Sequence, residues 1–301
     1  MSENLYLDLG GFAAQFANYV SELDVKDAAE IERTIERASR FVDGFCSMGR
    51  GRRHFYAVED KRVIPVPTST QKLWLPWDLL SIVTLKTDDD RDRTFETTWV
   101  AATDYYLAPR FQGWGGADGP FTHIERDRNN NVTASWFPFG QEAVELDGIW
   151  GYTQVVVDTG DTVQDDPWTA TGTELTVSKA ANFRVGQTLK IIFAGPPVVV
   201  EQVYVSGLIE QTKLTVVRAK NGSTANAHLK DTKIERYEYI PPVVAATIIQ
   251  AGRLWERRKT AFATTIIDPN VGPIEVVKDF DPDAARLLRS AGLVRKGVPF
   301  A

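Results

Sequence analysis

Hydrophobic positions change their period twice along the chain. Ala28, Ile31, Ile35, Ala38, Val42 and Phe45 follow one another at alternating three- and four-residue steps, which predicts a helix with one apolar stripe. Asp24 or Asp27 can cap its start, and Gly49 is a suitable stop. Before it, Phe12, Phe16, Tyr19 and Val20 outline a short amphipathic helix over 10–20. From Phe55 the period falls to two. Val63–Pro67, Lys72–Leu75, Leu79–Thr87, Thr97–Ala101, Tyr105–Pro109, Phe121–Arg126 and Val144–Trp150 read as short strands separated by Asp, Gly, Pro and Asn clusters. The polar stretch Asp158–Thr173 marks a boundary. Beyond it Glu174–Val177, Thr188–Phe193, Val198–Val205, Lys213–Arg218 and Lys233–Tyr239 form a second strand-rich region, sized for a small barrel or sandwich.

The period then returns to that of a helix. Pro241 and Pro242 open a segment in which Val244, Ile248, Ala251 and Trp255 share one face, and Arg257, Arg258 and Lys259 close it. Proline is tolerated in a first helical turn because its missing N–H has no partner there, and cations complement the negative end of the helix dipole. A last helix is expected from Asp281-Pro282-Asp283 to Gly292, followed by a tail ordered by a neighbour.

Composition narrows the function classes. The 301 residues are 43% hydrophobic, an ordinary globular content, and no apolar run has the roughly 18–20 residues that span a bilayer. MSENLYLDLGG does not read as a signal peptide, so synthesis in a reducing cytoplasm is expected. The lone Cys46 forbids an intrachain disulfide, and with three scattered histidines it builds no structural zinc site. A net charge of −6 argues against a general nucleic-acid binder, whose affinity comes largely from neutralised phosphates.

No nucleophile–base set or carboxylate pair stands out, so an enzyme is not expected, and no cofactor is implied. His54, His123 and His228 read as surface or loop histidines. Asp88, Asp90 and Asp92 alternate as in a calcium loop, but Arg93 stands where the turn glycine belongs and the twelfth position lacks glutamate; a solvated hairpin tip is the reading. The glycine-rich Gly113–Gly119 lacks a P-loop lysine. Two basic clusters remain, Arg50, Arg52 and Arg53, and Arg257, Arg258 and Lys259. The first suits either local salt bridges, to Asp43 or Glu59 for example, or a contact with another subunit or nucleic acid, and the second either complements the helix dipole or meets an interface.

Taken in order, several pieces resemble one family. They are Ala38–Asp43, Gly51–Phe55, Leu73–Pro76, Asp78–Val83, Asp104–Pro109, the strand ending Trp150-Gly151-Tyr152, and the Pro-Pro helix closing with Trp255–Lys259. This order is similar to that of the head–tail connector (adaptor) subunits of long-tailed bacteriophages, over roughly 5–152 and 241–292. The resemblance implies a structural virion protein of the neck, in a ring of about a dozen copies. Its implied partners are the portal, neighbouring copies, the next neck or tail-terminator protein and passing double-stranded DNA, with no membrane. The expected class is α+β. A helical adaptor core with a strand-rich portion (1–153 and 241–301) is interrupted by a self-contained all-β insert (154–240). Arg50, Arg52, Arg53, Trp255, Arg257, Arg258, Lys259 and Phe300 are the expected interface residues. The alternative is a virion binding module whose β domain recognises a carbohydrate or a decoration protein, with Trp168 and Tyr204 as surface aromatics.

Overall fold

A computed structural model describes residues 4–16, 25–47, 53–109, 120–127, 136–193, 198–258, 265–268, 272–275 and 280–294. The expected helical core is not the architecture. Strands dominate: two six-stranded antiparallel sheets and a two-stranded ribbon are accompanied by four α-helices among the described residues. The sequence pattern overstates the helices because each helix is an unbroken periodic run. The strands are interrupted by proline and by register shifts, and so read as shorter fragments than they are.

Contacts divide the chain into two compact units, Arg50–Val155 and Met1–Gly49 with Val156–Ala301. This is a different division from the chain-order one at 153/154 and 240/241.

The first unit is built from β1 (Val58–Val66), β2 (Lys72–Thr87), β3 (Thr97–Thr98), β4 (Tyr105–Ala108), β5 (Phe121–Arg126) and β6 (Gly140–Trp150). The order is β1-β6-β2-β5-β4, with β3 against the end of β2. Pro76 divides β2 in the sequence pattern, yet the strand runs through it. The register with β5 shifts between Trp74 and Leu79, and in such an irregularity the missing proline N–H breaks no ladder bond. Ile64, Leu85, Leu146 and Trp150 lie in one buried cluster, where Trp99 stacks on Phe137 at 4.5 Å. Gly148 is obligatory in β6. A Cβ there would lie 2.3 Å from the Ser81 carbonyl oxygen of the neighbouring strand.

The second unit joins α1 (Leu9–Gln15), α2 (Val25–Ser47), α3 (Pro241–Arg258) and α4 (Pro282–Ser290) to a sheet ordered β7-β12-β9-β10-β11-β8. Its strands are β7 (Val156–Thr162), β8 (Glu174–Thr176), β9 (Thr188–Phe193), β10 (Val199–Glu210), β11 (Lys213–Val217) and β12 (Lys233–Tyr237). The ribbon is β13 (Thr265–Asp268) with β14 (Gly272–Glu275).

Strand β10 shows why helices and sheet form one unit. Its central residues Glu201–Val205 are all buried, so both faces of the strand are covered. Alternate side chains point to opposite faces. Val203 and Val205 enter a core with Leu175, Leu189, Ile191 and Leu214, whereas Tyr204 enters a second core with Leu5, Phe12, Ile31, Ile35 and Trp255. Its hydroxyl donates to Glu32 Oε1 on α2 at 2.5 Å. On α4, Asp281 caps the helix by accepting from the Asp283 and Ala284 N–H groups, and Arg253 of α3 reaches it at 3.1 Å.

Candidate interface surfaces

The expected interface residues fall into three groups. Arg50, Arg52, Lys259 and Phe300 lie outside the described residues. Arg53 and Trp255 are turned inward. Arg53, 7% exposed, grips Asp78 with two charge-assisted bonds, Nε to Oδ2 at 2.6 Å and Nη2 to Oδ1 at 3.2 Å, and lies over the Tyr152 ring. Trp255, 5% exposed, is packed edge-on to Phe12. Arg258 covers the Trp255 ring at 3.7 Å and reaches Glu30 on α2 at 3.5 Å, while Arg257 is half-buried. The basic end of α3 therefore closes the helix bundle onto itself as well as complementing the dipole.

Large apolar side chains are exposed elsewhere. In the Arg50–Val155 unit Trp74 is 50% exposed, Val83 70%, Trp136 51% and Phe139 47%. Val83 is the extra residue where β2 slips against β6 between Ile82 and Thr84, so the bulge turns it outward. Trp136 and Phe139 flank Phe137, which faces the core, and Arg91 lies over the Phe139 ring. Trp74 sits on the outer side of β2 against His123, with the Lys72 ammonium 4.5 Å from its ring centre. Burial and Lys72 both push the His123 pKa below its ordinary value, against the opposing pull of Glu125. The sequence marks Lys72–Leu75 as strand but gives no sign that Trp74 faces outward.

The acidic loop follows β2, and its first aspartate, Asp88, is buried. Asp88, Asp90, Asp92 and Glu96 bring carboxylate oxygens within 4.8 Å of one another. The two Asp88 oxygens already accept the Arg91 and Arg93 N–H groups, and Asp92 accepts that of Thr94. Arg91 and Arg93 have φ of 73° and 71°. Glu96 is the member that spacing alone misses.

The most elaborate polar cluster is one the sequence does not announce. Glu201 on β10 is fully buried, and the Arg218 fork meets it with Nε to Oε1 at 2.5 Å and Nη2 to Oε2 at 2.6 Å. His228 Nε2 donates to Oε2 at 2.8 Å, and the Asn226 N–H adds a further bond at 3.2 Å. Burial alone would raise the Glu201 pKa. The bonds from Arg218, His228 and Asn226 overcome it and hold the carboxyl down at about 2. Arg218 also donates to the carbonyls of Thr169, Gly172 and Asn226 and lies 3.5 Å from the Trp168 ring centre. His228 is thus a buried anchor and not a surface histidine. Trp168 and Tyr204, expected as surface aromatics for a glycan, are both buried. With its carboxylate paired and its imidazole enclosed, the cluster ties together Trp168–Gly172, β10 and Arg218–His228.

Among the described residues, no helix is long and apolar enough to cross a membrane. No family model, curated protein or solved structure matches this chain.

Proposed function

We propose that this chain is a structural virion protein, a head–tail connector subunit that assembles with its own copies into a ring of about a dozen beneath a portal. The ring would contact the next neck or tail-terminator protein on its other side and let double-stranded DNA pass. The observation that carries the reading is the set of outward-facing Trp74, Val83, Trp136 and Phe139 on one small β unit. Exposed apolar side chains of this size suit a protein whose work is to be covered by neighbours. The ordered sequence motifs supply the kind of neighbour. The helical core first expected is no part of the proposal, since a ring subunit needs complementary surfaces and not a particular secondary structure. A glycan-reading β domain loses its basis with Trp168 and Tyr204 buried. Gold-labelled antibody against the protein should mark the neck of the virion. Label on the capsid facets or along the tail would overturn the proposal.

A further inference from the structure

We infer that Asn221-Gly222 is a deamidation site held shut by the fold, and that its state is coupled to the N-terminal segment Asn4–Leu7. The chemistry is intrinsic to an Asn-Gly pair. The Gly222 backbone nitrogen loses its proton and attacks Asn221 Cγ. The new C–N bond forms, the Cγ–Nδ2 bond breaks, and the departing nitrogen takes up through solvent a proton equivalent to the one Gly222 lost and leaves as ammonia. Water then opens the five-membered imide at either carbonyl, giving aspartate or isoaspartate. Glycine at the following position leaves this attack unhindered, because it has no side chain.

Two features of the native structure oppose the first step. The backbone of Asn221 is left-handed, with φ 56° and ψ 38°. At that ψ the Gly222 nitrogen lies anti to the Asn221 Cβ, the arrangement farthest from ring closure. Attack requires a large rotation about ψ, and the turn is pinned by Ser223, whose N–H donates to the Lys220 carbonyl and whose hydroxyl accepts from the Gln202 N–H.

The side chain is also held. Asn221 and Asn4 pair amide to amide, Asn4 Nδ2 to Asn221 Oδ1 at 2.7 Å and Asn221 Nδ2 to Asn4 Oδ1 at 3.0 Å. Asn221 Nδ2 also donates to Gln202 Oε1 at 2.7 Å. Thr188 donates to the same Asn4 oxygen at 2.9 Å. The leaving nitrogen is therefore fixed by two acceptors, and one of them belongs to the N-terminal segment.

The product would reverse the sign of this contact. An aspartate at 221 has no donor where Nδ2 stood, and its carboxylate would face the Asn4 and Gln202 oxygens. Asn4 precedes Leu5 and Leu7, which lie in the core shared by α2, α3 and Tyr204, and Tyr6, whose hydroxyl donates to Asp43 on α2. Deamidation would thus loosen the segment that laces the helices to the sheet, and it cannot be undone by simple hydrolysis.

The test uses the full-length protein incubated at mildly alkaline pH, with conversion at Asn221 followed by peptide mass spectrometry. The native protein should convert about a hundredfold more slowly than the same protein in urea, equivalent to an opening free energy of about 2.7 kcal/mol. Asn4→Ala, which removes side-chain hydrogen bonds at the latch, should speed native conversion about tenfold. Equal rates in native and unfolded protein would overturn the gating. An unchanged rate in Asn4→Ala would overturn the coupling. In Asn221→Asp the amides of Tyr6 and Leu7 should exchange faster with deuterium, and unchanged exchange would also overturn the coupling. If that variant does not fold, the conversion rates of the wild type and Asn4→Ala decide both points.

Discussion

Arg218→Met is the substitution that separates a working buried ion pair from a passive one. The side chain is retained in length, so packing against Trp168 is largely kept while the guanidinium is lost. Glu201 then remains with no solvent exposure, holding only His228 and backbone N–H partners, and the carbonyls of Thr169, Gly172 and Asn226 lose their donor. Removing one member of a buried pair costs about 3–5 kcal/mol, chiefly because the remaining charge is stranded. For a unit of this size that corresponds to a melting shift of roughly 6–20 °C. Thermal and urea unfolding, followed by far-ultraviolet circular dichroism, measure it. The double variant Arg218→Met/Glu201→Leu removes the stranded charge as well. It should be less destabilised than the sum of the single changes by about 1–3 kcal/mol. A loss below about 1 kcal/mol for Arg218→Met, or strict additivity in the cycle, would refute the reasoning.

Acid should act through the same cluster. The Glu201 carboxyl lies at about 2 in the folded chain against an ordinary 4.5, so its contribution is fully present above that ordinary value. It is lost as pH falls toward 2, to a total on the order of 3 kcal/mol; acid unfolding of Glu201→Gln should lack this component. Arg53→Ala removes both charge-assisted bonds to the buried Asp78 in the Arg50–Val155 unit and should cost about 3 kcal/mol, read as a lowered urea midpoint. Gly148→Ala sets a methyl against the Ser81 carbonyl, a backbone atom that cannot swing aside, and should cost about 3 kcal/mol or more by the same assay. Trp136→Ser removes an exposed side chain, so the melting temperature should move by less than the equivalent of about 0.5 kcal/mol while portal association weakens.

The helices and the apolar core of the second sheet were legible because their signals are local. Ile31, Ile35, Ala38 and Val42 are all buried on α2, Pro241 opens α3, and Asp281 caps α4 as its position before proline suggests. Leu175, Val177, Leu189, Ile191, Val203, Val205, Leu214 and Val216, all within strands that the pattern marks, are buried in one core. What was not legible depends on partners far apart in sequence. Glu201 meets residues 17 and 27 positions away, and Tyr204 meets Glu32 across 172. A strand covered on both faces mixes polar and apolar side chains without clean alternation, so Glu201–Val205 carries no sign of which side faces the helices. Tyr204 is the strand residue that enters the helices' core, and nothing in its local sequence distinguishes it from Val203 and Val205, which enter the other. Arginine and tryptophan favour interfaces, which is why Arg53 and Trp255 are expected contact residues, yet each also makes a strong internal partner.

The most direct test of the connector reading is the mass of the protein with and without purified portal assemblies, measured particle by particle. Alone, the chain should give a 33.6 kDa species with at most weak self-association. Mixed with portals, it should add about a dozen copies to each assembly, because a symmetric template closes a head-to-tail interface into a ring. A strict dimer at all concentrations, with no mass added to the portal, would contradict the account.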